Sequence, residues 1–514
     1  MTANDIHCIV PPSPKLEEKI IKSKQMFQSG EKLPQKLTDD LLDLRSLTLI
    51  ISRPPRTRAH TFTSPTREFA PVTGSRKAVV LLVDFSDDPQ NTNKSHYSDM
   101  LFSVGTYANG SMRDFYREAS YNQFDLIGDV FGWYRAPQPK SFYTNGNYGF
   151  GSYPQNAQKL VEDVIALANP DVNFANYDND GDGFVEALVI IAAGTGGEES
   201  GNTGDLWSHK WNISTASVDG VKINSYFMAP EDGKVGVFSH ELGHLVLGLP
   251  DLYDTDYSSR GTGRWDLMAG GSWNGGGDRP AHPTAWCKAK VGWVSPTVIF
   301  NAQQNVTVQP YSSNPQVYKL PIGDANSKEY FLISNRQKAG FDDNLPGEGL
   351  VIEHVDDNQT NNTDENHYLV DIEQCDGQSH LNKNANSGDS NDPFPCSTNS
   401  AFNAGTTPNS KGYDGSDSKI KVENIQRSGD NVTAEITVGE VTGWLYNKQV
   451  TMTFAHHTSR WAWAYIQDLG WRRIKDGAPD GVTNIFDACC EAVANGRKVH
   501  VYADSEFIFT LYLV

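Results

Sequence analysis

The spacing of apolar positions changes character along the chain, and each change predicts a different kind of element. Ala78 to Phe85 and Ala187 to Ala192 are strand-sized and almost unbroken, which predicts strands buried on both faces. Ser111 to Ser120 and Pro154 to Ala168 place their apolar residues at helical spacing. So does the segment from about 235 to 248, which ends on Gly248 and Pro250, a stop signal for a helix. From about 300 to 440, short alternating runs take over, among them Asn305 to Val308, Tyr330 to Ile333 and Val432 to Val438, and they predict a β-sandwich. The Asn/Asp/Gly/Ser-rich stretch from Asp356 to Asp417 is too polar to bury a core of its own and reads as a loop system.

Both ends differ from this middle. Residues 1 to about 70 hold an amphipathic stretch, Lys15 to Phe27, a second apolar one, Leu41 to Ile51, and a connector with Arg53, Arg56, Arg58 and Arg67 among prolines, a composition suited to proteolytic nicking. After Gly443 a small unit combines a strand, Gln449 to Phe454, a Trp/Tyr-rich part from Trp461 to Trp471, a helix around Asn484 to Ala494, and two closing strands, Lys498 to Ala503 and Glu506 to Val514. Its tryptophans are expected in the core of the unit. A platform for sugar or a cell-surface polymer is their alternative use.

Composition narrows the partners. A formal net charge of −20 over 514 residues argues against nucleic acid and anionic membranes, and it leaves carboxylates available for Ca²⁺. The length suggests about three domains. No apolar run approaches the roughly 20 residues of a membrane span. Met1 to Cys8 shows neither a basic nor an apolar leader region, so no signal peptide is expected at this start. Cys375 and Cys396 bracket a polar loop that a disulfide would pin, with two free thiols as the equal alternative, while Cys287, Cys489 and Cys490 read as buried thiols.

The chemistry concentrates in Ser239-His240-Glu241-Leu242-Gly243-His244. At 3.6 residues per turn, His240 and His244 share one helical face and can reach one Zn²⁺, with Glu241 beside them as general base and acid for a water that zinc acidifies to a pKa of about 7. Asp251 and Asp254 follow the helix stop and are the candidates for a third ligand.

The stretch HELGHLVLGLPDLYD, His240 to Asp254, resembles the signature of the immune inhibitor A metallopeptidases, HExxHxxGxxD followed by a Leu-Tyr-Asp or similar segment. The likeness takes in Ala78 to Phe85, Gly110 to Tyr116, Gly132-Trp133-Tyr134, Trp265 to Met268, Gly271 to Asn274 and Pro346 to Leu350, roughly residues 74 to 440. It implies an α/β (α+β) zincin-type metalloprotease catalytic domain, followed by a β-sandwich and a small α+β C-terminal domain. The expected limits are 1–73 for a pro-segment-like region, 74–300 for the catalytic domain, 301–440 for the sandwich and 441–514 for the last unit. It also implies secretion, protein or peptide substrates, and Met268 as a hydrophobic floor beneath the zinc ligands. The chain departs from the signature at one point: Leu245, Val246 and Leu247 precede Gly248, so the third ligand comes one position late. Asp251 fits best if a local bulge in the helix absorbs the extra residue.

Asp178-Asn179-Asp180-Gly181-Asp182-Gly183 alternates carboxylates with small residues, which suits Ca²⁺, and Glu186 is placed to complete the shell. A metal-free Asx turn is the alternative. Asp389 with Asp392 is a second, weaker cation candidate. Cys8, in His7-Cys8-Ile9-Val10, raises the idea of a removable thiolate ligand on the zinc of a latent enzyme, against the commoner inert thiol near a terminus. The leading function is a zinc-dependent endopeptidase with His240, His244 and Asp251 as ligands and Glu241 as base and acid. The rivals are a non-catalytic relative that binds protein or glycan, against which the intact Glu241 argues, and an intracellular hydrolase of short peptides, which the absent leader would suit.

Overall fold

The computed structural model describes residues 8–29, 71–439, 443–456, 461–467, 470–477, 480–504 and 506–514. The Leu41 to Ile51 stretch and the arginine-rich connector lie outside these residues. The chain is a mixed α/β protein with several sheets and a closed barrel.

The first sheet is built from β1 (Cys8–Ile9), β2 (Gly74–Asp84), β3 (Phe124–Arg135), β4 (Leu188–Ala192), β5 (His209–Val218) and β6 (Val221–Pro230), in the order β1-β5-β6-β4-β2-β3. β3, β2, β4 and β6 run parallel, β5 is antiparallel to β6, and β1 is antiparallel to β5. Every residue of β4, which lies between β2 and β6 inside the sheet, is buried, which is why its sequence is an unbroken apolar run. The helix α1 (Pro14–Ser29) follows β1. Next, α2 (Met112–Ala119) starts at a reciprocal cap, in which the Ser111 hydroxyl accepts from Asp114 N–H and the Asp114 carboxylate accepts from Ser111 N–H. The Asn156 side chain caps α3 (Ala157–Ala168) in the same general way.

The helix α4 (Val235–Leu245) carries both site histidines and is buried on every side from Val235 to His244. Two glycines permit that depth. A Cβ on Gly236 would lie 1.9 Å from the Ser272 carbonyl oxygen, and one on Gly243 would lie 2.7 Å from Met268 Sδ. Met268 therefore packs against the helix between the two histidines.

Beyond α5 (Ala285–Lys290), two sheets share a second core. One sheet holds β7 (Thr297–Val298), β9 (Tyr318–Pro321), β10 (Glu329–Arg336), β11 (Gly349–Asp356) and β12 (Val370–Ile372); the other holds β8 (Ala302–Val308), β13 (Ile420–Ser428) and β14 (Asn431–Val438). Phe331 and Ile333 of β10 face that second core, whereas Tyr330 and Leu332 belong to the first. Both faces of β10 are covered, so Tyr330 to Ile333 is a continuous apolar run and not an alternating one. Burial along β14 does alternate. Within the polar stretch between β11 and β13, Cys375 and Cys396 are joined by a disulfide.

The C-terminal strands β15 (Gly443–Ala455), β16 (Ala462–Ile466), β17 (Gly470–Ile474), β18 (Lys498–Ala503) and β19 (Phe507–Leu513) close a barrel against which α6 (Gly481–Asn495) packs. Its small core is filled by residues such as Val450, Ala464, Ile466, Val499 and Ile508. This corrects the expectation of a tryptophan core: Trp444, Trp461 and Trp471 are 40%, 47% and 44% exposed on the outside. Of the three thiols expected to be buried, Cys490 is only half-buried. No helix among the described residues is long and apolar enough to cross a membrane.

Candidate active site

The two imidazoles are held by backbone carbonyls. His240 Nδ1 lies 2.9 Å from the Leu267 oxygen and His244 Nδ1 lies 2.7 Å from the Leu249 oxygen. A carbonyl only accepts, so each Nδ1 carries a proton and each Nε2 is the nitrogen left to face a metal. The two Nε2 atoms are 3.0 Å apart, and Asp251 Oδ1 is 3.2 Å from that of His240 and 3.1 Å from that of His244. Three potential ligand atoms thus converge. His240 Nε2, His244 Nε2 and Asp251 Oδ1 would hold the ion, and two imidazoles with one carboxylate are a donor set that suits zinc.

Burial shapes the protonation of these groups. Asp251 is held down to about 2 even though burial works against its ionisation, because the His244 and His240 rings outweigh that effect. Burial lowers His240, whereas for His244 the Cys8 sulfur and Asp251 overcome burial and raise it well above the ordinary range. Glu241 is 0% exposed, and neither carboxylate oxygen has a hydrogen-bond partner among the described residues. Its carboxyl is raised well above the usual range, chiefly by burial and further by the charge of Asp251. Such a carboxylate is a strong proton acceptor.

The extra residue after His244 is absorbed in the exit turn and not by a bulge in the helix. α4 stays regular to Leu245, Val246 N–H still donates to Leu242, and Gly248 turns the chain at φ +69. Leu249 N–H then closes on the Gly243 carbonyl at 3.0 Å, a span of six residues where the usual glycine-ended turn spans five. Asp251 arrives beside both rings. Asp254 does not: its carboxylate accepts from Asp256 N–H, Ser258 Oγ–H and Ser259 N–H and Oγ–H, and so ties its own turn.

The N-terminal segment lies across this site. β1 extends the sheet along β5, with Cys8 opposite Lys210 and Ile9 opposite His209. Cys8 Sγ falls within 4.8 Å of ligand atoms of both His244 and Asp251. Trp207 Nε1–H donates to the Val10 carbonyl at 3.0 Å, Trp273 Nε1–H to that of Pro11 at 2.8 Å, and the Tyr253 hydroxyl to that of Ile9 at 3.0 Å. Ser13 N–H reaches the Glu198 carbonyl, and Glu17 pairs with Arg260. The role of Trp207, Tyr253 and Trp273 was not apparent from sequence. Only the polar tip on each buried ring hints at a partner elsewhere.

In the loop before β4, Asp178, Asp180, Asp182 and Glu186 bring one oxygen each within 4.8 Å of one another. Gly181 takes φ +78 there. Asp178 Oδ1 accepts from Gly181 N–H, Asp180 Oδ1 from Asp182 N–H and Asp182 Oδ1 from Phe184 N–H, so Asx turns and a converging oxygen set coexist. Glu186 Oε1 is buried without a partner among the described residues.

Residues 70–295 match the family model described as immune inhibitor A peptidase M6, catalytic domain. A pre-pro-metalloprotease PrtV of Vibrio cholerae serotype O1 is 33% identical over 268 residues, which are 41% of this chain and 29% of that protein. An immune inhibitor A of Bacillus thuringiensis subsp. alesti is 32% identical over 254 residues, 39% of this chain and 36% of that protein. The match thus spans only about a third of the length of these relatives. The segment from 70 to 295, which carries His240, Glu241, His244 and Asp251, is thus similar to the catalytic domain of the immune inhibitor A peptidases M6.

Proposed function

We propose that the chain is a zinc-dependent endopeptidase of zincin type, acting on proteins. The observation that carries this reading is the convergence of His240 Nε2, His244 Nε2 and Asp251 Oδ1 beside the unpartnered Glu241. Zinc bound by these three side chains supplies Lewis acidity, which polarises a peptide carbonyl and acidifies water. Glu241 accepts the proton of the attacking water at its carboxylate and passes it to the departing amine. The edge of β5 supplies backbone N–H and C=O groups to an extended substrate, as it does to β1. Cleavage of casein by chain freed of its N-terminal segment tests this reading. Hydrolysis that a zinc chelator abolishes and added Zn²⁺ restores is the expected result, and hydrolysis indifferent to the chelator would sink it.

Secretion fits the family resemblance and the Cys375–Cys396 disulfide, a bond suited to an oxidising compartment. The β1 segment covers the catalytic groups, so the described arrangement reads as a latent form.

Asp178, Asp180, Asp182 and Glu186 serve as a structural Ca²⁺ site in the same proposal. Asn179 of this loop accepts Lys77 N–H at 2.7 Å, so an ion there stiffens the start of β2. Binding only the folded state at a hundred times Kd adds about 2.7 kcal/mol of stability. Melting curves in Ca²⁺ and in a Ca²⁺-selective chelator should therefore separate. If they superimpose, and Asp180→Ala changes nothing, the loop is a turn and not an ion site.

A further inference from the structure

The loop closed by the Cys375–Cys396 disulfide gathers a second set of metal-ligating side chains. Asp376, His380 and Asp389 each bring one ligand atom within 4.8 Å of the others. His380 Nδ1 is 3.4 Å from Asp389 Oδ2, and the Asn386 amide donates to that oxygen at 2.7 Å and lies 3.3 Å from the same ring nitrogen. Gln378 N–H donates to Asp376 Oδ1 and Asn391 N–H to Asp389 Oδ1, which orients both carboxylates and leaves each with lone pairs to spare.

Asp392 stands against this cluster as an independent sign of missing positive charge. It is 1% exposed; its Oδ2 accepts from Asp389 N–H at 2.8 Å and from Trp265 Nε1–H at 2.9 Å, and its Oδ1 has no partner among the described residues. Lys383 of the loop donates its Nζ to the Gln378 carbonyl, and among the described residues no lysine or arginine forms an ion pair with any of the three aspartates.

We propose that Asp376, His380 and Asp389 bind one divalent transition-metal ion, of which Zn²⁺ is the representative. Two carboxylates with one imidazole suit such an ion, whereas Ca²⁺ and Mg²⁺ take oxygen ligands almost throughout. The sequence pairing of Asp389 with Asp392 is thereby revised: Asp392 sits behind the ligands, and His380 supplies the donor that changes the metal class. The position gives the ion a role. The loop is laid on residues 260–265 through Arg260 N–H to the Leu381 carbonyl and Arg264 N–H to that of Ser387. That segment runs directly into Leu267, whose carbonyl orients His240. An ion here braces the loop against the strip of chain that positions the first catalytic ligand.

The test uses the full chain carrying His240→Ala and His244→Ala, which removes the catalytic centre whatever its function. After equilibration with Zn²⁺ in excess Ca²⁺ and dialysis, elemental analysis should find about one zinc per chain. Adding His380→Ala should remove it, and Asp376→Asn, which keeps size and shape, should weaken zinc binding by more than about tenfold, since even changes outside the ligand shell cost about that much. Circular dichroism separates loss of fold from loss of the ligand. A folded His240→Ala/His244→Ala chain that retains no zinc overturns the proposal. So does zinc binding that neither the His380 nor the Asp376 change reduces.

Discussion

Glu241→Gln should lower peptide hydrolysis by about a hundredfold to ten-thousandfold, the range for a removed general base, while zinc content stays at the wild-type level. The amide has the size of the carboxylate and cannot take a proton. Nothing about the metal ligands changes, because His240 and His244 are oriented by the Leu267 and Leu249 carbonyls and not by Glu241. Asp251→Ala should show the opposite pattern. It removes the oxygen 3.1–3.2 Å from both Nε2 atoms and leaves two imidazoles, fewer protein ligands than a catalytic zinc site uses, so zinc affinity drops first and activity with it. Asp254→Ala should spare zinc binding, since that carboxylate is engaged by Ser258 and Ser259. Casein turnover together with elemental analysis separates the variants. Near-wild-type turnover in Glu241→Gln would remove the proposed mechanism.

The parts of this site that could be read from sequence are those that a helix makes periodic. His240, Glu241 and His244 lie within five residues, and 3.6 residues per turn is enough to put both rings on one side. Asp251 was harder, because its position depends on a turn that closes over six residues, and an added residue in a turn has many conformational outlets. The helix bulge expected from the spacing was the wrong outlet: Gly248 at positive φ was the cheaper one. Contacts between distant segments left almost no local trace. Nothing near Trp207, Tyr253 or Trp273 announces that their polar tips grip residues 9 to 11. His380 likewise has no spacing motif with Asp376 and Asp389, and a loop tied by a disulfide brings them together. The barrel tryptophans misled for a related reason. An aromatic-rich stretch predicts burial only where the interior is large enough, and this interior is filled by valine, isoleucine and alanine.

The uncut chain should be nearly inactive, and nicking within Arg53 to Arg67 should raise its activity at least tenfold. β1 occupies the edge of β5 on which the proposed function places an extended substrate, and a strand cannot pair twice on one side. Cys8 would add a second block, because a sulfur ligand within reach of the His244 and Asp251 ligand atoms would compete for the open position of a zinc site. The two contributions separate in Cys8→Ser. That change removes the sulfur and keeps the hydrogen bonds from Trp207, Trp273 and Tyr253 to the segment, so the uncut variant should gain activity without reaching the level of nicked protein. Cobalt substitution reads the sulfur directly: the uncut chain should show a sulfur-to-metal charge-transfer absorption that Cys8→Ser and nicking with release of the segment both abolish. Equal activity of uncut and nicked chains would make residues 8–29 a permanent brace. An uncut cobalt form without the sulfur band would leave the block to the backbone of β1 alone, with Cys8 a bystander beside the ligands.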